Sequence, residues 1–208
     1  MTTSDDLRAV AAICVEALRP AADLGWDVRA GDLQWTARRT LDHIPDVLLF
    51  YSGQLAARAD RWLPFPRNSD PEASVGDLIE LVGVAAAILA EAALAAGPSA
   101  RAFHPAGRAD ASGFLAMGCD ELLIHTGDIA HGLRAPFAPP ARLCQRVVER
   151  LFPWAPGDFD PWATLRWANG RAALPGHDRL DPDWYWHCAP IDEWDGTVAR
   201  RTRPPGWT

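Results

Sequence analysis

The segment SGFLAMGCDELLIHTGDIAHG, residues 112–132, carries two patterns at once. Phe114, Leu115, Met117, Gly118, Leu122, Ile124 and Ile129 recur at helical spacing and predict a core helix, yet a run of polar residues is threaded through the same stretch. Glu121 and His125 are four apart, so on a helix they point within about 40° of each other, one turn apart. Asp128 falls on the same face. A carboxylate and an imidazole placed in this way can enter one coordination sphere while Leu122, Leu123 and Ile124 bury elsewhere. Glu and His four apart also occur on helix surfaces as a simple polar pair, and the spacing alone does not separate the two readings.

Two protein ligands rarely suffice for a metal, so a third has to come from another segment. His43 is the best candidate, because Leu41, Ile44 and Leu48 place it at the rim of a core face. The set would be two nitrogens and one oxygen. Three protein ligands with open positions match a catalytic rather than a closed structural zinc, and the same donors accept iron, nickel or manganese. Asp42 beside His43 faces about 100° away on a helix and, like Asp128, is a candidate only for supporting a ligand. His104, His131, His177 and His187 lack partners at ligand spacing and read mostly as caps or surface residues. His187 next to Cys188 is a poor nucleophile pair, since neighbours on an extended chain point in opposite directions.

Around this segment the chain predicts further helices. One spans residues 4–18, ended by Pro20; another runs from 37 to 62, capped by Thr36. Pro45 sits inside the second, where proline costs ~3 kcal/mol, and it marks either a kink beside His43 or the start of a separate helix. Ser74, with Asp77 at the capping-box position, begins an alanine- and leucine-rich helix that Gly97-Pro98 stops. A fifth helix is expected over 140–152, with proline in its first turn. From residue 153 the periodicity fades, and seven of the ten tryptophans lie beyond it. There Asn169-Gly170 is either a hairpin turn or the C-cap of a short helix from Trp162, with Leu165 and Ala168 favouring the helix. The expected organisation is an all-α domain over 1–152 with an irregular, Trp-rich extension, 153–208, packed on it.

Composition narrows the function. A net charge of -7 and a pI near 5.3 oppose a nucleic-acid partner, which needs a basic stripe. All 20 cationic residues are arginine, which removes Schiff-base and lysine-base chemistry. The acidic Met1–Asp6 lacks the features of a secretory signal, and the most apolar run, residues 81–90, is far shorter than the ~18 residues a membrane span needs, so a cytoplasmic protein with no membrane partner is expected. Four cysteines without CxxC spacing predict reduced, buried thiols. No Gly-x-Ser-x-Gly elbow and no Walker or Rossmann glycine loop is present.

The stretches Trp35-Thr-Ala-Arg-Arg-Thr-Leu-Asp-His43-Ile and Glu121-Leu-Leu-Ile-His125-Thr-Gly-Asp128-Ile-Ala resemble the two signatures of the DinB-like superfamily, and more closely its mycothiol-dependent maleylpyruvate isomerase branch. The resemblance covers roughly residues 5–152; Trp167-Ala-Asn-Gly-Arg171 and Glu193-Trp-Asp-Gly196 are similar to tails of actinobacterial members. It implies an up-down-down-up four-helix bundle in which His43, Glu121 and His125 hold a divalent metal, usually zinc. It also implies mycothiol as cosubstrate in isomerising, or transferring the thiol to, a small-molecule electrophile. The short Trp-rich C-terminal part departs from the isomerase, so neither a catalytic arginine nor maleylpyruvate carries over. A thiol-independent metal hydrolase or lyase remains open, as does a non-enzymatic binding protein or pathway cyclase on the same scaffold. Surplus apolar surface is compatible with a homodimer, though no segment specifies an interface.

Overall fold

A computed structural model describes residues 1–66 and 70–201. The chain is mostly helical, with helices α1 (Ser4–Leu18), α2 (Ala37–Ala56), α3 (Val75–Ala96), α4 (Ala111–Leu133), α5 (Ala141–Leu151) and α6 (Pro161–Ala168). Between α3 and α4 lies an antiparallel hairpin, β1 (Arg101–His104) and β2 (Gly107–Asp110), paired from Arg101–Asp110 to His104–Gly107. The all-α expectation missed this hairpin. Its strands are four residues each, too short for an alternating pattern to register, and its fixing contacts are tertiary. Phe103 N–H donates to the Ala59 carbonyl, and Gln54 Nε2 donates to the Phe103 carbonyl, so the hairpin is tied to the end of α2.

Local chemistry explains most boundaries. Thr3 with Asp6 and Ser74 with Asp77 form capping boxes at α1 and α3, while Thr36 and Asp110 cap α2 and α4 by accepting the N–H groups of Arg39 and Gly113. α2 stops at Ala56, six residues before the expected Trp62, where Arg58 turns the chain with a left-handed φ of 46°. Pro45 lies inside one continuous helix rather than at the start of a second. Pro140 is the cap of α5, just outside the first turn where it was expected. In the C-terminal part the helical alternative holds: Asp160 caps α6, Asn169 ends it, and Gly170 follows with a φ of 66°.

α1 and α2 each lie against both α3 and α4, which places α4 on two helices at once. Accordingly residues 111–126 are buried without exception. Gly118 permits this approach, because a Cβ there would stand 2.9–3.1 Å from the side-chain ends of Leu89, Leu48 and Leu7, one on each of the other three long helices. α3 is long and apolar enough by composition to cross a membrane. Here Leu78, Val82, Ala85 and Leu89 pack inward, while Val84, Ile88 and Leu94 stay exposed. The C-terminal part shares this core through Leu165, Trp167, Trp184, Trp186 and Cys188. Buried Arg150 of α5 fastens it by donating to Asp110 and to the carbonyls of His187 and Cys188. Trp207 and the rest of 202–208 lie outside the described residues.

Candidate metal centre

His43 on α2 and Glu121 and His125 on α4 meet at the wall of a cavity of about 510 Å³. Glu121 Oε2 stands 3.4 Å from His43 Nε2 and 3.1 Å from His125 Nε2, and all three donor atoms fall within 4.8 Å of one another. A tetrahedral ion with bonds of about 2.05 Å has ligand–ligand edges of about 3.3 Å, so both nitrogen–oxygen separations fit one shared cation. The donor set, two imidazoles and a carboxylate, suits zinc and other borderline divalent ions.

Each donor is oriented from behind. His125 Nδ1 pairs with Asp128 Oδ2 at 3.3 Å, leaving Nε2 to face Glu121. Arg171, beyond α6, grips Asp128 through Nε and Nη2 at 3.0–3.3 Å. This is the carboxylate–histidine arrangement that fixes a metal-ligating ring. Tyr51 O–H donates to Glu121 Oε1 at 3.1 Å, so the carboxylate presents its other oxygen to the histidines. Trp35 packs edge-on against His43 with ring centroids 5.1 Å apart, and Arg39 lies 5.2 Å over Trp35. The loop bearing Trp35 is held close to α4 at Gly132, where a Cβ would meet the Arg29 carbonyl at 2.0 Å. Asp42, the other supporting candidate, pairs with Arg39 at 2.9 Å and is not among the described residues lining the cavity.

Electrostatics follow from burial opposed by pairing. Burial acts to raise the Glu121 carboxyl, but hydrogen bonds from His125 and His43 outweigh it and hold the group well below the usual carboxylate range. Burial acts to lower His125, yet Asp128 and Glu121 raise it to about 9. A cation entering the site therefore takes the place of a proton. Burial, reinforced by the Glu121 charge, pushes the Tyr51 phenol well above its ordinary value, so it remains a donor.

Several cavity residues escaped the sequence reading. His104 is buried, not a cap or surface residue: its Nδ1 accepts the Ala106 N–H at 3.0 Å, and burial lowers it to about 3, so the ring is neutral with its proton on Nε2. Asp120 accepts from Asn169 Nδ2 at 2.8 Å and Trp186 Nε1 at 2.9 Å, joining the C-terminal part to the residue beside Glu121. Burial raises its carboxyl to about 7. Arg201 stacks 4.3 Å over Tyr185 and donates Nε to the Trp184 carbonyl; among the described residues no carboxylate pairs with it. The tryptophans of the C-terminal part thus both cover the helices and wall the cavity. Apart from the His104–Ala106 turn, the partnerships of these residues join segments well separated in sequence, so little local pattern marks them.

The remaining histidines and the cysteines follow expectation more closely. His131 and His177 are exposed. His187 pairs through Nε2 with the Pro190 carbonyl, and burial pushes the Cys188 thiol up to about 12. Cys14, Cys119 and Cys144 are likewise free and buried, with thiols raised by burial. No family model matches the chain, and neither a curated protein nor a solved structure matches it.

Proposed function

We propose that the chain is a metal-dependent, mycothiol-dependent isomerase or S-transferase acting on a small electrophile, built on a DinB-like four-helix bundle. The observation that carries this reading is the convergence of His43, Glu121 and His125 donor atoms within 4.8 Å in a cavity large enough for a small substrate. A divalent cation held there, zinc by preference of the donor set, supplies Lewis acidity that favours the thiolate form of a bound thiol. The chain's own thiols are buried and raised, which supports a thiol arriving from solution.

The protein's part is to hold and exclude. Asp128 and Arg171 keep His125 Nε2 aimed inward, and Tyr51 keeps one Glu121 oxygen turned away from the donor cluster. Trp35, Phe50, Trp62 and Trp186 line the cavity with apolar surface that limits water, while Arg201, which no carboxylate pairs among the described residues, offers its cation to an anionic group of the electrophile. His104 offers a neutral N–H to a carbonyl oxygen. In isomerisation the thiol sulfur adds to one carbon of a carbon–carbon double bond, the resulting single bond turns, and the same thiol leaves. In transfer the other carbon of the former double bond takes up a proton, or a halide leaves from the carbon that the sulfur attacks, and the thioether is released as product.

The test is turnover of small unsaturated carboxylic acids and alkyl halides by zinc-loaded protein, with and without mycothiol. Turnover that requires the thiol supports the reading. Equal turnover without it assigns the site to metal-assisted hydrolysis or elimination and removes the thiol from the account.

A further inference from the structure

A second cavity, of about 340 Å³, lies behind the first, with Ile124 and Arg171 contributing to the walls of both. Its volume falls at the lower end of the range for small-ligand sites, ~300–1,000 Å³. Trp162 and Arg166 are four apart on α6 and so share one face, and both line this cavity. Phe137 meets Trp162 edge-to-face with centroids 5.7 Å apart, which makes one wall aromatic.

This wall carries as many guanidiniums as carboxylates, but both carboxylates are engaged by arginines other than Arg166. It holds two carboxylates, Asp32 and Asp128, and each already has a guanidinium: Arg179 on Asp32 at 2.7 Å, Arg171 on Asp128 at 3.0 Å. Arg166 is a half-buried guanidinium with no hydrogen-bond or ion-pair partner among the described residues. Exposed His131 lines the same cavity, without a side-chain partner among the described residues. A guanidinium is a planar fork matched to a carboxylate or phosphate, and here it opens next to a flat apolar wall.

We infer that this second cavity binds a small organic anion, whose acidic group is held by Arg166 and whose apolar body lies against Trp162 and Phe137. The site does not depend on the metal reading, since neither Arg166 nor Trp162 belongs to the ligand cluster. A carboxylate and a phosphate ester share the required chemistry. An aromatic carboxylate uses both halves of the site; inorganic phosphate uses the cation alone.

The experiment is calorimetric titration of the full chain with benzoate and, separately, with inorganic phosphate. Saturable binding of either is expected, weakened about tenfold by Arg166→Gln, the order expected for loss of one charged hydrogen-bonding group. Ala135→Glu, which places a carboxylate in the same wall, weakens it independently and covers the case in which the arginine variant folds poorly. Arg142→Gln, at an exposed position of α5 that lines neither cavity, leaves this binding intact. Benzoate binding without phosphate binding assigns the site to carboxylates, and the reverse to phosphate esters. The inference is overturned if neither ion binds saturably, or if binding survives both Arg166→Gln and Ala135→Glu.

Discussion

His43 and Tyr51, two turns apart on α2, address opposite oxygens of Glu121: His43 Nε2 stands 3.4 Å from Oε2, and Tyr51 O–H donates to Oε1 at 3.1 Å. One helix thus orients the carboxylate that another supplies. The packing of α2 on α4 turns a Glu–His pair, common on helix surfaces, into a set of three donors in a buried wall.

The support behind His125 sets the affinity for a cation. Asp128→Ala removes the carboxylate that fixes its ring, and metal binding weakens by roughly 10–100-fold. Arg171→Gln, which frees Asp128, moves affinity in the same direction by less. Competition with a chromogenic chelator measures both; equal affinity in wild type and Asp128→Ala would contradict the support.

Protonation of His125 opposes metal binding and stabilises chelator-treated protein. Its folded value, about 9, is raised above 6.5, so the stability it contributes is complete below pH 6.5 and is lost as pH rises through about 9. Glu121 and Asp128 are depressed instead, and their contribution, present above the ordinary carboxylate range, is lost as pH falls below it. Urea midpoints of chelator-treated protein fall between near pH 6 and near pH 10, and His125→Gln flattens that fall. Metal loading at neutral pH releases about one proton, seen as a buffer-dependent enthalpy in calorimetry.

Asp120 joins the C-terminal part to α4. Asp120→Ala leaves the Trp186 indole without its acceptor and the Asn169 amide with the Leu165 carbonyl alone, which costs about 1–3 kcal/mol. Thermal melting records the loss, and limited proteolysis beyond residue 153 speeds up. Unchanged proteolysis would show that Arg150 and the shared core hold this part unaided.

Gly132 sets how closely the loop carrying Trp35 approaches α4. Gly132→Ala places a Cβ against the Arg29 carbonyl, with a cost of about 1–3 kcal/mol, and shifts Trp35 away from His43. A fall in Tm together with weaker metal binding is the expected pair of results.

Where a local rule governs, the sequence is a sufficient guide. Thr36, Ser74 with Asp77, and Gly97 mark their helix ends because caps depend on neighbours three or four residues away. Glu121, His125 and Asp128 share a face because helical period puts them there. His43 joined them by an inference about a core rim and by the resemblance of the stretch around it to a family signature. The hairpin, the early end of α2, buried His104 and the Asp120 link were not legible. Each depends on contacts such as Phe103 to Ala59 or Trp186 to Asp120, which no period or cap encodes.

The most direct test of the metal centre is elemental analysis of the purified protein and of His43→Ala, Glu121→Ala and His125→Ala, each checked for folding by circular dichroism. The expected result is about one divalent ion per chain in the wild type, as one three-ligand site predicts, and a marked loss in every folded variant. A wild type that takes up no stoichiometric ion on zinc dialysis, or variants that bind as well as it does, would contradict the account.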